Sequence, residues 1–453
     1  MDVRGFLTAA EERGWLRHVT VTVDPHLELA RVVHALGEEP MRFTSVKGWG
    51  GVVVAGLCSR RRHFALALGI EEQELMPALL AALRAPSVPQ VVEVAPCQEV
   101  VIAGPDVDLG RLPLVTHFEG DGGPYVTAGV AVINDPDLGR NLSYHRLMRV
   151  GRRCFTARLV EGRGAHRAWR AVDGDLPMAV CIGAPLAVQL AAAMSPAPGV
   201  DEMAIANALH PVPTVRAVGS DLVVPAETEI VLEGRLTHDL GDEGPFVDLT
   251  QTRDTVRQQP FFVVDRITHR KDPIYQALLP GGDEHRLLMG MPREPTIYDA
   301  VSRVCACRDV VLTRGGGHWL HAVVRIDKRS PDDGRAAIMA AFQGHTSLKH
   351  VVVVDGEVDA ADPHAVEWAV ATRFQADRDL VVLHDQPSSS LDPSALHVPG
   401  EKARTTKMGL DATTPWDTPT GPSRPEDYAA VEYGAVDVAD YLGDRREPDA
   451  SDA

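Results

Sequence analysis

The hydrophobic pattern of this chain changes period twice, and the changes divide the sequence into units of different fold class. Residues 1–92 combine helical spacing with short apolar runs, which predicts a small α/β unit. Residues 93–290 are mostly short β-branched segments punctuated by Gly and Pro, typical of a curled sheet or split β-barrel. Residues 291–413 alternate helices with fully apolar strands such as 351–354, which indicates a parallel-type sheet covered on both faces. We therefore predict a mixed α/β (α+β) fold of three domains, followed by an acidic, Pro-rich tail over residues 414–453.

Charge and cysteine usage restrict the partners and the compartment. The 453 residues include 45 Lys and Arg against 63 Asp and Glu, a net charge of −18. This surplus repels nucleic acid backbones and anionic lipid surfaces, so we expect neither as a partner. Residues 1–14 contain Asp2, Glu11 and Glu12 and lack the apolar run of a signal peptide. The six cysteines fit no zinc or redox spacing. We expect a cytoplasmic protein with free thiols.

The hexapeptide Glu243-Gly-Pro-Phe-Val-Asp248 is the strongest single candidate for chemistry. Gly244 and Pro245 break the alternation of a strand, so both carboxylates can reach one cavity. Arg146 lies about a hundred residues upstream. A guanidinium keeps one carboxylate ionised while crowding favours the protonated form of a second, so such a set can hold a base and an acid together. Taken alone, the motif is also typical of a solvated loop.

Further marked segments stand in a fixed order around this hexapeptide. The segments are Asp121–Thr127, Asn141–Arg146, Pro198–Glu202, Glu243–Asp248, Ile267–Pro280 and Thr406–Thr413. In order and spacing they resemble the UbiD family of decarboxylases, and the resemblance covers roughly residues 2–413.

The resemblance implies a reversible, non-oxidative decarboxylase of an aromatic or α,β-unsaturated carboxylic acid. In this family prenylated FMN sits in the middle barrel and serves as the covalent electron sink, while the protein supplies position and protons. The cofactor phosphate is held through a divalent metal, usually manganese, with magnesium as the alternative and potassium often nearby. The resemblance also implies a flavin prenyltransferase as cofactor supplier and a homo-oligomer, a dimer or a hexamer.

The resemblance assigns roles to individual residues of this chain. Arg146 and Glu243 resemble the ion pair beside the flavin, and Asp248 stands where the family places the acid that protonates the product. Asn141 and Glu202 resemble metal ligands, since both offer hard oxygen donors. The residues that resemble cofactor contacts are Thr127, Asn141, Ser143, Arg146, Met194, Glu202 and Lys407.

One position departs from the family pattern. The metal-ligand His of the family lies eighteen residues after the Arg, and here that register holds Gly164. His166 follows two residues later, and Gly162 and Gly164 allow the loop to tighten. We predict His166 as the third metal ligand, with a water-completed oxygen site as the alternative.

Two other functions stay open at this point. The chain is compatible with a reductase-like FMN-binding barrel, although no Gly-x-Gly-x-x-Gly nicotinamide motif follows a strand. It is also compatible with a scaffold subunit of a carboxylase, which the missing His favours and the presence of Arg146, Glu243 and Asp248 opposes. The sequence does not determine which acid is the substrate, or in which direction the reaction runs.

Overall fold

The computed structural model describes residues 1–398, 401–416, 425–428, 431, 434–437 and 441. Residues Met1–Thr413 form one compact unit, and Thr414–Ala453 form a second. Most of the predicted tail at 414–453 lies outside the described residues. Within the described part of the chain, every helix is too short or too polar to cross a membrane.

The N-terminal region is a small α/β unit, as predicted. Asp2 caps the first helix by accepting a hydrogen bond from the Gly5 backbone N–H. The elements are α1 (Val3–Glu12), β1 (Arg17–Val19), α2 (Glu28–Ala35), β2 (Met41–Phe43), β3 (Val52–Ala55), α3 (Arg61–Leu68) and α4 (Leu75–Arg84). Their sheet has the order β1-β2-β3 and is completed by β18 (Ile274–Gln276), which pairs in parallel with β3. A segment from the middle of the sequence therefore ties the two regions together.

The central region contains the largest sheet. Its elements before β18 are β4 (Val91–Val92), β5 (Val100–Ala103), β6 (Tyr125–Val126), β7 (Gly129–Asp135), β8 (Gly139–Tyr144), β9 (Leu147–Arg149), β10 (Cys154–Ala157), α5 (Gly164–Ala171), β11 (Leu176–Ile182), α6 (Leu186–Ala193), α7 (Glu202–Leu209), β12 (Thr214–Arg216), β13 (Val223–Pro225), β14 (Ile230–Glu243), β15 (Phe246–Val247), β16 (Arg253–Asp254) and β17 (Arg257–His269). α8 (Asp283–Gly290) follows β18. The nine-stranded sheet runs β6-β9-β10-β17-β14-β11-β7-β8, with β5 paired to β17. The sheet is open, so the split barrel is curled rather than closed.

The C-terminal region is a sheet with helices on both faces. Its elements are α9 (Glu294–Ser302), β19 (Ala306–Leu312), β20 (His321–Asp327), α10 (Asp333–Gly344), β21 (His350–Asp355), α11 (Pro363–Arg373), β22 (Leu380–Pro387) and β23 (Arg404–Ala412). The order is β19-β20-β21-β23-β22, with β20, β21 and β23 parallel and the two edge strands antiparallel. Val351 and Val353 pack in one core with residues of α10, while Val352 and Val354 pack in another with residues of α11. The fully apolar strand is thus buried on both faces, as predicted.

The long hairpin of β14 and β17 positions the candidate site. β14 pairs with β17 from Ile230↔His269 to Glu243↔Arg257, with irregularities in register at Glu233/Gly234 and between Leu236 and Leu240. The sequence predicts a strand only over 229–232. The second half of β14 is mostly polar and carries no apolar pattern, and in the structure residues 238–240 and 242 are exposed. Glu243 at the end of this extended strand is again fully buried.

Candidate active site

A cavity of about 780 Å³ lies where the central sheet faces the C-terminal region. Its walls come from β8, the start of α5, the loop between α6 and α7, the β15–β16 hairpin, α8 and loops of the C-terminal sheet. Seven of the predicted site residues line it: Thr127, Asn141, Ser143, Arg146, Met194, Glu202 and Asp248. Predictions from segments far apart in sequence therefore converge on one cavity.

Arg146 joins the two acids of the hexapeptide. Its Nε and Nη2 each donate to the Glu243 carboxylate at 2.9 Å, a bidentate pair, and its Nη1 donates to Asp248 Oδ2 at 2.5 Å. Glu243 is fully buried and does not line the cavity, whereas Asp248 does. Glu243 therefore holds the guanidinium from behind, and Asp248 is the acid that faces the cavity.

Local packing fixes this arrangement. Gly244 has φ +98°, and a Cβ there would lie 2.9 Å from the Thr255 carbonyl oxygen, so the bend between the acids requires glycine. The Phe246 ring lies 4.6 Å from the Arg146 guanidinium carbon. The Tyr125 hydroxyl donates to Glu243 Oε1 at 3.2 Å. These contacts leave Arg146 little freedom to turn.

Asp254 is a third acid on Arg146, and the sequence analysis missed it. Arg146 Nη2 donates to Asp254 Oδ2 at 2.8 Å, and Arg257 Nη2 donates to Oδ1 at 2.7 Å. Burial opposes ionisation, but the hydrogen bond from Arg257 and the charge of Arg146 lower the pKa of Asp254 to about 2. In the structure Arg253-Asp254 forms a hairpin with Phe246-Val247, and Phe246 pairs with Asp254. The sequence signals this contact only through the short distance between the two segments along the chain.

The carboxylates also act on Arg146 itself. Burial alone would lower the pKa of Arg146, but the charge and hydrogen bonds of Glu243, followed by Asp248 and Asp254, raise it above its ordinary value. The guanidinium is therefore permanently charged. It can orient Asp248 toward the cavity.

Asn141 and Glu202, the predicted metal ligands, lie together. Asp201 caps α7 by accepting from the Met203 N–H, which places Glu202 in the first turn. Asn141 Nδ2 donates to Glu202 Oε1 at 3.1 Å, and the Leu142 backbone N–H donates to Oε2 at 3.0 Å. Burial raises the pKa of Glu202 to about 7. Because the hydrogen-bond donors to the Glu202 carboxylate are neutral, a bound cation would stabilise its ionised form.

Position 164 faces this pair. A Cβ built on Gly164 would lie 3.2 Å from Asn141 Oδ1, so a side chain at this register would point at the predicted metal ligands. His166 sits two residues into α5, where its Nδ1 accepts from the Gly162 N–H at 3.3 Å and its ring lies 5.8 Å from that of Trp169. His166 does not line the cavity. The structure thus brings Asn141 and Glu202 together without His166.

The other predicted cofactor contacts divide into two groups. Thr127, Ser143 and Met194 line the cavity, with the Thr127 hydroxyl donating to the Leu278 carbonyl at 2.7 Å. Lys407 on β23 lies behind the wall, donates to the Thr346 carbonyl at 2.7 Å and is almost fully buried. Burial lowers the pKa of Lys407 to about 8.

Two further residues of the cavity wall escaped the sequence analysis. His285 on α8 accepts a hydrogen bond from the Gly281 N–H at its Nδ1, 3.0 Å away. Its neutral form then carries the proton on Nε2. Arg293, in the turn after α8, also lines the cavity and is only 8% exposed. Single polar residues in helical segments give no sequence signal for such roles.

The donors present fit the groups implied by the resemblance. Asn141 and Glu202 supply oxygen ligands of the kind that manganese and magnesium accept, and Gly164 leaves space beside them. Within the described residues, no group of three or more His, Cys, Asp or Glu side chains is placed to hold a metal. A bound ion would therefore take its remaining ligands from water or from a cofactor phosphate.

Models of known protein families match almost the whole compact unit. The N-terminal, Rift-related and C-terminal domains of 3-octaprenyl-4-hydroxybenzoate carboxy-lyase (UbiD) match residues 7–83, 90–283 and 286–412. Two anhydromevalonate phosphate decarboxylases are among the similar proteins. That of Methanosarcina mazei is 40% identical over 417 residues, 91% of this chain and 96% of the relative. That of Methanothermobacter thermautotrophicus is 43% identical over 376 residues, 80% and 85% of the two chains.

Solved structures agree with these matches. The UbiD-class enzyme HmfF from Pelotomaculum thermopropionicum in complex with FMN has a TM-score of 0.90 at 35% identity, covering 98% of this chain and all of the other. An evolved dimeric form of HmfF in complex with prenylated FMN gives 0.86 at 34% identity, covering 97% and 100%. The apo 3,4-dihydroxybenzoic acid decarboxylase from Enterobacter cloacae gives 0.85 at 27% identity, covering 97% and 98%. With its three domain models matched in order and its fold shared with these enzymes, this chain belongs to the UbiD family of carboxy-lyases.

Proposed function

We propose that this protein decarboxylates a small α,β-unsaturated acid that carries a phosphate group, with prenylated FMN as its cofactor. The observation that carries the proposal is the cavity-facing Asp248, held by an Arg146 that is clamped by Glu243. The relatives at 36–43% identity are named anhydromevalonate phosphate decarboxylases. Solved relatives carry FMN or prenylated FMN.

The chain offers residues for each part of the cofactor. Thr127, Ser143 and Met194 would contact it in the cavity, and Asn141 and Glu202 would hold a manganese or magnesium ion at its phosphate. Lys407 is a buried cation that would add a positive charge near this phosphate. The electron pair left when carbon dioxide departs needs an acceptor, and that is the chemistry which bound prenylated FMN supplies.

The protein's own groups handle charge and protons. Arg146 fixes the position and direction of Asp248, because its guanidinium stays charged and is held by Glu243 in a mostly buried position. As the bond to the carboxylate breaks and carbon dioxide leaves, the substrate carbon takes a proton. Asp248 faces the cavity and is hydrogen-bonded by Arg146, so it is the group proposed to deliver that proton.

The similar proteins favour an unsaturated acid over an aromatic one. The aromatic acid decarboxylase of Enterobacter cloacae is 27% identical, whereas the anhydromevalonate phosphate decarboxylases reach 43%. A scaffold role or reductase chemistry is less well supported, because the Arg146–Glu243–Asp248 set is complete and reaches the cavity.

The test is a decarboxylation assay on protein co-expressed with a flavin prenyltransferase. The panel contains anhydromevalonate phosphate, the same acid without phosphate, and 3,4-dihydroxybenzoate. We expect carbon dioxide release with the phosphorylated acid, and none when the prenyltransferase is omitted. Full activity with unmodified FMN would overturn the cofactor assignment, and a preference for the aromatic acid would overturn the substrate class. Light scattering of the same protein tests the homo-oligomer that the family resemblance implies.

A further inference from the structure

Arg293 is a buried cation without a carboxylate. It ends a short turn, Met291–Arg293, that continues from α8, and only 8% of its surface is exposed. Within the described residues no hydrogen-bond partner of its guanidinium is found, and its Nε is fully buried without one. Its guanidinium carbon lies 5.4 Å from the Trp319 ring, and the side chain lines the cavity.

Three other arginines of the cavity wall each pair with a carboxylate, whereas Arg163, which is more exposed than Arg293, has no ion pair among the described residues. Arg140 binds Asp201, Arg158 binds Glu161, and Arg167 binds Asp135. Burying a cation without an anion is costly, and an arginine keeps its charge rather than lose its proton. Burial and the charge of Arg163 lower the pKa of Arg293 to about 9, although the charge of Glu202 acts in the opposite direction. An anion brought by a ligand would remove the cost of burying this cation.

The wall around Arg293 is rich in hydroxyl groups. The hydroxyl residues that line this part of the cavity are Thr346, Ser347, Ser388, Ser389 and Ser390. Trp319 Nε1 donates to Ser389 Oγ at 3.0 Å, which ties the serine segment to the ring beneath Arg293. A guanidinium with several hydroxyl donors is the combination that recognises a phosphate group.

We propose that Arg293 and these hydroxyls form a subsite for the phosphate of the substrate, at the end remote from the reacting carboxylate. This subsite rests on the proposed function. His285 lies eight residues before Arg293 on the same helical segment. The charges of Asp248 and Arg146 act on its imidazole, which places His285 at the reacting end of the cavity. The helical rise separates His285 from Arg293 by about 12 Å, which a small phosphorylated acid and the two side chains can bridge. The flavin phosphate has separate candidates, namely Lys407 and a metal ion that Asn141 and Glu202 would hold.

The experiment compares Arg293→Met and Arg293→Lys with wild type as flavin-loaded protein. Arg167→Gln is the matched control, since Arg167 is paired and half exposed. For Arg293→Met we expect the KM of the phosphorylated acid to rise on the order of 10²-fold, because a desolvated charge pair is lost. Arg293→Lys should recover part of this loss. The kcat/KM for the unphosphorylated acid should fall far less than that for the phosphorylated acid, because the unphosphorylated acid has no phosphate for Arg293 to bind.

A second measurement does not depend on turnover. Inorganic phosphate should raise the melting temperature of flavin-loaded wild type and of Arg167→Gln, but not that of Arg293→Met. If wild type decarboxylates neither acid, the proposed function fails, and this phosphate shift alone decides the subsite. An unchanged KM and an unchanged phosphate shift in Arg293→Met would overturn the subsite. Loss of bound flavin in Arg293→Met would assign Arg293 to the cofactor and overturn it as well.

Discussion

Arg146 and Arg293 are two mostly buried arginines of one cavity, and their surroundings are opposite. Arg146 is held by the carboxylates of Glu243, Asp248 and Asp254, and they raise its pKa. Arg293 has no carboxylate on its guanidinium within the described residues, and burial lowers its pKa. The first arginine is neutralised by the protein, and the second is left for a ligand.

The difference shows how a fold prepares for a substrate with two anionic ends. A cation that must orient an acid has to be fixed before the substrate arrives, so the chain supplies its partners. A cation that only binds can remain unpaired, provided that the ligand recovers its desolvation cost. The following predictions test this contrast.

Replacing Arg146 should have the largest effect. Arg146→Met leaves Glu243 buried without a counter-charge, so we expect the free energy of unfolding to fall by about 3–5 kcal/mol and activity to be lost. Denaturant unfolding and carbon dioxide release measure this. The control is Arg153→Met, whose side chain is partly exposed and pairs with Asp265. Equal stabilities of the two variants would show that the carboxylate cluster does not depend on Arg146.

Replacing the cavity-facing acid should affect turnover rather than folding. Asp248→Asn is expected to keep flavin and to lose on the order of 10²–10⁴-fold in single-turnover rate, because the proton donor is gone. Glu243→Gln should lose a comparable amount through misplacement of Arg146. Asp242→Asn, on the exposed side of the same strand, is the control. If Asp248→Asn exchanges the proton at the product carbon at the wild-type rate, the proton donor is another residue.

Asp254→Asn should have a moderate effect. Two carboxylates remain on Arg146, so its charge is still balanced, but one of its hydrogen bonds is weakened. We expect roughly a tenfold loss in kcat with little change in KM, since positioning and not binding is impaired. A steady-state comparison with wild type provides the measurement. An unchanged kcat would limit the functional cluster to Glu243 and Asp248.

Lys407 provides a pH test of an anion-binding cation. Its pKa is lowered to about 8, so the free protein holds a charged amine below pH 8 and a neutral amine above it. If Lys407 binds the flavin phosphate, flavin affinity is greatest below pH 8 and falls as pH rises through this value. We expect a weakening of up to about tenfold per pH unit above pH 8, and no such weakening above pH 8 in Lys407→Met. Fluorescence titration of flavin from pH 6.5 to 9.5 measures both proteins.

The smallest effect is expected at His166. Because His166 is turned toward Trp169 and away from the cavity, His166→Ala should leave manganese and flavin contents unchanged. Glu202→Ala should lose both, and Gly164→His should retain more manganese, since position 164 faces Asn141. Metal analysis and flavin absorbance decide between these outcomes. A parallel loss of both in His166→Ala would restore it as a ligand.

The sequence by itself determined the order of the structural regions and most of the residues that meet in the cavity. Periodicity is a local property, so the apolar run 351–354 predicts a strand buried on both faces whatever surrounds it. The UbiD resemblance was likewise readable, because segments such as 243–248 keep their residues and spacing. Local patterns also failed where a strand is polar, since the second half of β14 could not be predicted as a strand from the sequence.

Only the tertiary structure decided which charges find partners. Asp254 reaches Arg146 because a hairpin returns it to Phe246. Arg293 has no such partner because, among the described residues, no carboxylate comes within hydrogen-bonding distance of it. His166 turns away because α5 begins at Gly164 and sets the direction of its side chain. The physical reason is that pairing and burial depend on distances between segments far apart in sequence, which no local pattern records.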